Sequence, residues 1–428
     1  MLIEFTVANY GSFKEPQRLE MTPDENISSL SEHCFDTGIL EDQPKQLLRS
    51  ALVYGPNASG KSHLIHAVSF MREFVLNSNR KEVEKSIKVK PFLLDAKSRF
   101  EPSAFQMIFV MEGRRCQYGF KVDKKRVWSE WCYIFTGVEE NNILFRREYD
   151  PAEDVYQVES DGLEGIENVL QSVPEDWLAI TQFGQEKKKR WPELASTYRW
   201  FYKRLKCIDS NEKISSIQPP AFLRKKSGMD WVLRFMKAAD FGVENLRLKE
   251  KDMKKYFGWY KMFDSIPEIV RTTEMVRTIP QTEEQVSFTL SQESTGTNKM
   301  FDWAGHFWEF FSEGKVFFVD EIESGLHHRL VRFLLDLIHD PERNIHGSQL
   351  IATTHDTALL DDRIIRPDQI WLINKDREYV SHISPLSDFD IKLEAGETLQ
   401  QFYLDGLFGA VPMVRKRRVD PVGRAING

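Results

Sequence analysis

The segment Gly55–Ser62, which reads GPNASGKS, constrains the fold of this chain more than any other part of it. Its spacing fits the pattern G-x-x-x-x-G-K-[ST] of a phosphate-binding loop. The apolar run Ala51–Tyr54 before it predicts a buried strand of a parallel sheet, and the apolar face of 61–76 after it predicts an amphipathic helix. A chance glycine-rich turn does not explain this strand–loop–helix order, so the sequence predicts a P-loop.

A P-loop binds phosphates through free backbone N–H groups and through the positive N-terminal end of the helix that follows it. Lys61 is expected to reach the β- and γ-phosphates, and Ser62 is expected to place its hydroxyl on Mg²⁺. The sequence therefore predicts ATP and Mg²⁺ as cofactors. The residues expected to contact the nucleotide are Asn57, Ala58, Ser59, Gly60, Lys61, Ser62 and His63.

Two acids, Asp320 and Glu321, directly follow the apolar run Val316–Val319. Ligands of α/β sheets bind at the carboxyl ends of strands, which is where these acids are expected. Asp320 would hold the Mg²⁺ shell, and Glu321 would orient or deprotonate the attacking water. Acids also favour the N-terminus of any helix, but the P-loop upstream favours the catalytic interpretation.

A further apolar run, 350–352, ends in Thr353, Thr354, His355 and Asp356. Threonine and aspartate are good helix caps, so a capping turn is one interpretation of this segment. The position of His355, one strand–helix unit after the acidic pair, favours a second interpretation. In that interpretation His355 contacts the γ-phosphate or the attacking water and belongs to the catalytic residues with Lys61 and Glu321.

The segment 290–297, LSQESTGT, precedes a predicted helix, and its Ser294 and Gly296 resemble the serine and second glycine of the ABC signature LSGGQ. Such a helix start can bind the γ-phosphate of a nucleotide held by a second subunit. The alternative is an ordinary N-cap formed by Ser294 or Thr297. Residues 323–327 resemble the ABC D-loop, which communicates across the dimer.

In this order, GPNASGKS, SQESTGT, FFVDEIESGLH and TTHD resemble an ABC-type ATPase head, a group that includes the RecF, SMC and OLD proteins. The opening LIEFTVANYGSFKEP resembles the first strand and turn of that group. Segments 368–371, 384–389 and 406–412 further resemble bacterial AAA family ATPases of the AbiL/RloA sort, which are linked to abortive infection and phage defence. The chain departs from the pattern at Thr295, where the signature has glycine, and at Glu323 and Gly325, where the D-loop commonly has aspartate and serine.

The resemblance implies an α/β fold, an ABC-type P-loop NTPase head with a mixed central sheet, an antiparallel β subdomain and a mostly helical insertion. It also implies an ATP hydrolase that works as a homodimer or higher homo-oligomer and controls a separate nuclease or toxin effector, for example an RloB-like protein. A RecF/SMC-like ATPase for DNA repair or DNA ends is the main alternative, and a nucleotide-dependent scaffold that does not hydrolyse is a third. Genomic neighbourhood or DNA-stimulated turnover would discriminate between the first two.

The pattern of predicted elements divides the chain into four parts. Residues 1–150 form the N-terminal lobe with the P-loop and a β meander, and 151–284 form the helical insertion. Residues 285–412 form the C-terminal lobe with the signature, the acidic pair and His355, and 413–428 are a basic tail. The space after His355 is too short for an appended Toprim nuclease.

The bulk composition excludes several classes of protein. The net charge of −7 gives no chain-wide attraction to nucleic acid, although nucleic acid is kept open as a partner through the local basic runs 187–190 and 415–418. The four cysteines form no CxxC pair, and no apolar run is long enough for a membrane span. With no signal peptide at the start, we expect a cytoplasmic protein without membrane contact.

Overall fold

The computed structural model describes residues 1–39, 44–80, 86–135, 141–186, 190–209, 221–252, 269–389 and 397–411. Strands and helices are numbered along the described chain. The predicted basic tail 413–428, the basic run 415–418 and residues 187–189 of the other basic run lie outside these ranges.

An antiparallel sheet forms the outer layer of the molecule, with strand order β10-β9-β8-β7-β6-β1-β2. Its strands are β1 (Leu2–Ala8), β2 (Gln17–Glu20), β6 (Ser103–Met111), β7 (Arg114–Val122), β8 (Val127–Phe135), β9 (Asn141–Asp150) and β10 (Val155–Glu159). The four strands β6 to β9 are the predicted meander. A short antiparallel pair, β3 (Cys34–Asp36) and β4 (Gln46–Leu48), lies between β2 and the central sheet in the sequence.

The central sheet carries the P-loop and has the strand order β11-β15-β16-β5-β17-β18. Its strands are β5 (Ser50–Tyr54), β11 (Leu205–Ile208), β15 (Val316–Val319), β16 (Gln349–Thr353), β17 (Ile370–Lys375) and β18 (Ser381–Pro385). All pairs are parallel except β17 with β18, so the sheet is mixed, as predicted. The carboxyl ends of β5, β15 and β16 consequently meet at one edge.

Helices cover both faces of the central sheet. The helices of the described residues are α1 (Lys61–Asn77), α2 (Ile166–Ser172), α3 (Ala179–Gln185), α4 (Pro192–Lys203), α5 (Lys226–Ala238), α6 (Thr295–Glu313), α7 (His328–His339) and α8 (Leu399–Leu404). Val316 and Phe318 of β15 pack into the core that contains α1 and the antiparallel sheet, whereas Phe317 and Val319 pack into the core that contains α6 and α7. This alternation explains why the strand is apolar throughout, since both of its faces are buried.

The segment 151–284 contains the predicted helices and also strands that the sequence analysis did not predict. Strand β10 extends the antiparallel sheet, and β11 pairs in parallel with β15 at the edge of the central sheet. Two more strands, β12 (Asn245–Asp252) and β13 (Ile269–Thr278), form a sheet with β14 (Gln285–Thr289). The segment therefore shares both main sheets with the rest of the chain, through a hairpin with β9 in one sheet and through the distant strand β15 in the other.

Candidate active site

The P-loop joins β5 to α1 at the carboxyl edge of the central sheet. Lys61 is only 6% exposed, and its Nζ donates to the carbonyls of Gly55 at 2.8 Å and Pro56 at 3.1 Å. Burial lowers the pKa of Lys61 from its ordinary value, and nearby carboxylates oppose that shift. Those carboxylates are Asp320, Glu321 and Glu323. The ammonium group thus lies inside the loop, near the acids that follow β15, the second strand from β5 in the sheet.

Gly60 cannot be replaced without moving its neighbours. Its φ is +117°, and a Cβ built there would lie 2.5 Å from Ser12 Oγ and 2.6 Å from Ser381 Oγ. The Ser381 hydroxyl donates to the carbonyl of Ser59, which joins β18 to the loop. Two segments distant in sequence therefore press the P-loop backbone into its tight turn, a backbone that only glycine adopts freely.

The loop keeps polar groups that fit phosphate oxygens. Ser59 Oγ is buried and has no hydrogen-bond partner among the described residues. Gly60 is the last residue before α1, so the first N–H groups of that helix and its positive end point toward the loop. These groups, together with Lys61 and Ser62, fit the triphosphate of a nucleotide with its Mg²⁺.

Thr353, the last residue of β16, organises the two predicted catalytic acids. Its hydroxyl donates to Asp320 Oδ1 at 2.7 Å and accepts the backbone N–H of Glu321 at 2.8 Å. Its carbonyl accepts the N–H of Ile322 at 3.1 Å. The buried Thr353 therefore fixes the direction of Asp320 and the path of the backbone that carries Glu321.

Glu321 has a φ of +49°, in the left-handed region that residues other than glycine and asparagine rarely adopt. Such a conformation costs on the order of 1–3 kcal/mol, and it persists only where the surroundings impose it. Thr353 and the N–H of Ser324, which donates to Glu321 O at 2.9 Å, impose it here. The turn leaves the Glu321 side chain exposed, where water reaches it.

His355 lies beside the same groups, on the turn after β16. Its N–H donates to Glu323 Oε1 at 2.6 Å. Burial lowers the pKa of the His355 ring, the charge of Lys61 lowers it further, and carboxylates that include Glu323 oppose both effects. The structure thus brings Lys61, His355 and the acids of the β15 turn together, as the sequence predicts, and favours a neutral imidazole.

Ser294 caps helix α6, which is the N-cap alternative weighed for this segment. Its Oγ accepts the N–H of Thr297 at 3.1 Å and lies 2.9 Å from the hydroxyl of Thr297. Ser294 is exposed, and Gly296 is half-buried beside it. Capping leaves the start of α6 facing solvent, so the predicted contact of Ser294 and Gly296 with a second subunit's nucleotide stays a prediction.

Several residues of the site were missed by the sequence analysis or judged differently. Thr353 was named only as a capping residue, and Glu323 only as a departure from the D-loop pattern. Neither Ser12 nor Ser381 was considered near the P-loop.

Magnesium needs few protein ligands at a site of this kind, because nucleotide phosphates and water complete its octahedron. The described residues contain no group of three or more His, Cys, Asp or Glu side chains arranged to hold a metal ion by themselves. Ser62, on α1, and Asp320, directly after β15, carry oxygen atoms of the kind that Mg²⁺ prefers as ligands.

Comparisons with known proteins give one family and a set of solved structures. A family model described as "AAA domain, putative AbiEii toxin, Type IV TA system" matches residues 50–163 and 171–361. No curated protein matches the chain. Within the part of the chain that the structure describes, no helix is long and apolar enough to cross a membrane.

The solved structures that resemble the chain include SMC head domains. The head domain from Thermotoga maritima has 14% identity and a TM-score of 0.40, and the match covers 92% of this chain and 99% of that one. An SmcHead bound to the C-winged helix domain of ScpA has 12% identity and a TM-score of 0.40, covering 92% and 98%. The head from Pyrococcus furiosus, with an extended coiled coil and bound to the C-terminal domain of ScpA, has 12% identity and a TM-score of 0.42, covering 90% and 97%.

Proposed function

Because the chain belongs to the P-loop ATPase family described as "AAA domain, putative AbiEii toxin, Type IV TA system", we propose that it binds ATP with Mg²⁺ and hydrolyses it. The observation that carries the proposal is the meeting of Lys61, Asp320 and Glu321 at one sheet edge, with Thr353 holding the two acids in place. A P-loop lysine, a metal-binding acid and a water-activating acid are the parts that phosphoryl transfer needs.

Each residue has a separate task in this mechanism. The P-loop amides and Lys61 would bind the phosphates, and Ser62 and Asp320 would hold Mg²⁺, which would supply positive charge to the phosphate oxygens. Glu321 orients the attacking water and accepts its proton, and its exposed side chain at the end of a constrained turn suits that task. A neutral His355 donates a hydrogen bond toward the γ-phosphate or the water.

We propose that two copies form each active site together. The exposed start of α6, with Ser294 and Gly296, offers backbone N–H groups and a positive helix end that suit the γ-phosphate of the partner's nucleotide. ATP would then hold two copies together, and its hydrolysis would release them.

The biological role that fits best is regulation of an anti-phage abortive-infection system in the cytoplasm, in which the ATPase controls a separate effector. Support comes from the family description, which names an AbiEii toxin and a toxin–antitoxin system, and from the AbiL/RloA-like segments of the sequence. Expression of this chain alone, and then with its genomic neighbours during phage infection, tests the role. Growth arrest by this chain alone would assign the toxic activity to it and contradict a separate effector.

A DNA-responsive ATPase of the RecF/SMC type is the second candidate function. It is favoured by two adjoining grooves at the amino edge of the central sheet, which share Lys203, Arg204 and His346. Arg199 lies in the first groove, and Lys315, paired with Glu313 at 3.1 Å, lies in the second. The exposed ring of Tyr202 in the second groove suits base stacking. A severalfold increase in ATP turnover when DNA is added would support this function. An unchanged turnover with DNA at both low and high salt concentration would contradict it.

Gel filtration of the Glu321→Gln variant with and without ATP is the most direct test of the shared active site. The variant keeps the backbone turn and the Thr353 contact but lacks a proton acceptor, so we expect ATP to bind and to shift the protein to a dimer. Turnover should fall by at least about 100-fold. Turnover at the wild-type rate would show that Glu321 is not the general base, and an unshifted elution would argue against the shared site.

The Lys61→Ala variant tests nucleotide binding itself. We expect ATP affinity to fall by at least about tenfold, because the variant removes the buried ammonium group that we propose binds the phosphates. The Lys237→Ala variant removes an exposed lysine of α5 and serves as the matched control. An unchanged affinity of Lys61→Ala for ATP would contradict the P-loop assignment.

A further inference from the structure

The 397–411 segment folds into a compact unit against the carboxyl end of β5. Its helix α8 is followed by a return of the chain through Gly406 and Gly409, whose φ angles are +79° and +69°. Glycine adopts this left-handed backbone freely. The return brings the carbonyl of Ala410 to α8, where it accepts the hydroxyl of Tyr403 at 2.9 Å. Two glycines of the AbiL/RloA-like run therefore shape this unit.

Tyr403 joins the 397–411 segment to the strand that leads into the P-loop. Its buried ring meets Tyr54, the last residue of β5, edge-on, with the ring centroids 5.6 Å apart. Burial raises the pKa of Tyr403, and the backbone N–H of Gly55, as a hydrogen-bond donor to the same hydroxyl, opposes the rise. The hydroxyl that holds Ala410 thus also lies at the start of the P-loop.

Two hydrogen bonds connect the same elements to the turn that carries His355. The hydroxyl of the fully buried Tyr54 donates to the carbonyl of Asp356 at 3.1 Å. On α8, the side-chain amide of Gln400 donates to the hydroxyl of Thr357 at 3.1 Å. Asp356 and Thr357 directly follow His355 in the chain, so both bonds fix the backbone that carries its ring.

Bonds within the His355 turn set its shape, whereas bonds from outside set its place in the site. The N–H of Asp356 donates to Thr354 Oγ1 at 3.0 Å, and the N–H of Ala358 donates to Asp356 Oδ1 at 3.0 Å. The groups that hold the turn from outside include Glu323 after β15, Tyr54 at the end of β5 and Gln400 on α8. The distance between the turn and the P-loop therefore depends on α8 as well as on the sheet.

We propose that Gln400 and Tyr403 are positioning residues for ATP hydrolysis, which hold the His355 turn and the start of the P-loop in place around one nucleotide. This role rests on the proposed function, in which His355 meets the γ-phosphate or the attacking water and the P-loop binds the phosphates. Gln400 acts on the turn, and Tyr403 acts on the loop. A displacement of about 1 Å at a reacting group can slow a reaction about 100-fold, so bonds two residues from His355 are close enough to affect turnover.

Steady-state kinetics of Gln400→Ala, Thr357→Val and their double variant test the contact with the His355 turn. Alanine removes the amide and is a good helix former, and valine keeps the β-branch without the hydroxyl. We expect each single variant to lower kcat about tenfold and to change KM for ATP by less than about twofold. The double variant should be about as slow as either single one, because both changes remove the same hydrogen bond.

Gln401→Ala is the matched control on the same helix. Gln401 is exposed, and its amide bonds to Asp405 at 3.0 Å, so this variant should keep the wild-type kcat. Equal kcat losses in Gln400→Ala and Gln401→Ala would overturn the proposal, because they would come from the helix as a whole. A loss of about 100-fold in the Gln400→Ala, Thr357→Val double variant would overturn it as well, since independent losses multiply.

Tyr403→Phe tests the contact with the P-loop. Phenylalanine keeps the ring against Tyr54 and removes the hydroxyl that holds Ala410 and accepts the Gly55 N–H. In the Glu321→Gln background, calorimetric titration with ATP and Mg²⁺ should show a Kd raised about three- to tenfold. In the otherwise wild-type protein, kcat at saturating ATP should change by less than about twofold. An unchanged Kd would overturn the role of Tyr403.

Gly409→Ala gives a second test that leaves the Tyr403 side chain intact. Gly409 is exposed, and a Cβ there would lie 3.8 Å from Asn374 Nδ2, so the substitution strains the return of the chain without a clash. The Kd for ATP should rise in this variant too. If both Tyr403→Phe and Gly409→Ala bind ATP as the wild type does, the 397–411 segment does not position the P-loop.

A wrong positioning role and a wrong proposed function give different results. If the wild-type protein hydrolyses ATP and Lys61→Ala loses affinity for it, a wild-type kcat in Gln400→Ala and a wild-type Kd in Tyr403→Phe would show that only the positioning role is wrong. If the wild-type protein neither binds nor hydrolyses ATP, the proposed function itself is wrong.

Discussion

Thr353 contacts both predicted catalytic acids but takes part in no chemistry itself. Its hydroxyl is the only side-chain group that the described residues show bonded to both Asp320 Oδ1 and the Glu321 N–H. Groups that orient a metal-binding carboxylate in this way affect metal affinity and turnover nearly as strongly as the ligands do.

The Thr353→Val variant should therefore bind ATP but hydrolyse it slowly. Valine keeps the shape and the β-branch while removing the hydroxyl, so Asp320 loses its donor and the Glu321 turn loses its acceptor. We expect kcat to fall by about 10- to 100-fold and the Mg²⁺ concentration for half-maximal activity to rise. Titration of the ATPase with Mg²⁺ measures both effects.

The Thr353→Ser variant is the matched control, because it keeps the hydroxyl and should retain most of the activity. If Thr353→Val and Thr353→Ser lower kcat equally, the loss comes from altered packing and not from the missing hydroxyl. Equal Mg²⁺ dependence of wild type and Thr353→Val would contradict the proposed role of Asp320.

At the scale of single residues, the sequence predicts positions that carry a motif and misses those that act across strands. Asp320 and His355 were predicted because each ends an apolar run. The contact of Thr353 with Asp320 depends on β16 lying next to β15 in the sheet, which a periodic pattern does not reveal. The pair of threonines at the end of β16 was the available signal, and it predicts a capping turn equally well.

At the scale of elements, segments with a clear apolar pattern were predicted well, whereas short edge strands of mixed composition were not. Strand β15 has the predicted bounds and helix α1 extends one residue past the predicted 61–76, since both are strongly apolar on the faces they bury. Strand β11 has only four residues, Leu205–Ile208, includes the charged Lys206, and lies within the segment predicted to be mostly helical. Its parallel pairing with β15 comes from tertiary contacts, which override weak local preference.

Glu130 shows how one buried acid joins an outer strand to a helix. The side chain on β8 is fully buried and accepts the N–H groups of Ala179 at 2.7 Å and Ile180 at 3.0 Å, at the start of α3. It also accepts the hydroxyl of Tyr118 at 3.0 Å, and the buried Arg147 lies near it. Burial raises the pKa of Glu130, and these partners oppose the increase.

Glu130→Ala should destabilise the fold without a direct effect on the active site. It leaves two helix N–H groups and a hydroxyl without their acceptor and removes the negative charge nearest to the buried Arg147, so we expect the free energy of unfolding to fall by about 3–5 kcal/mol. Chemical denaturation measures the loss. The control Glu148→Ala removes an exposed acid of β9 that pairs with Arg146, and it should cost less than about 1 kcal/mol. Similar losses in the two variants would contradict the argument.

At the scale of the whole molecule, several buried histidines make stability depend on pH. His33 and His339 stack with ring centroids 3.5 Å apart, and His339 Nε2 lies 2.8 Å from Ser50 Oγ. Burial lowers the pKa of His339 well below its ordinary value, and the charges of His33 and Arg49 lower it further. Burial, and next the charge of Lys206, lower the pKa of His306 on α6 to about 3.

These shifts fix the sign of the pH effect. The folded state holds the rings neutral, whereas the unfolded state takes up protons below an ordinary histidine pKa of about 6.5. The contribution of these neutral rings to the free energy of unfolding is therefore fully present above that pH. It is lost as the pH falls toward the pKa of the folded state. Each such histidine lowers the free energy of unfolding by about 1.4 kcal/mol per pH unit within that window.

Denaturation of wild type and His306→Gln between pH 7.5 and 5 tests this argument. Glutamine offers an acceptor for Lys206, whose Nζ lies 3.1 Å from His306 Nδ1, but it does not titrate. Below about pH 6, the free energy of unfolding should therefore decrease less steeply with falling pH in the variant than in the wild type. The two slopes should differ by about 1.4 kcal/mol per pH unit. The exposed His328 supplies the control, since His328→Gln should keep the wild-type slope. Equal slopes in wild type and His306→Gln would mean that the ring of His306 is protonated in the folded protein, and the described packing of α6 against β11 and β15 would then be wrong.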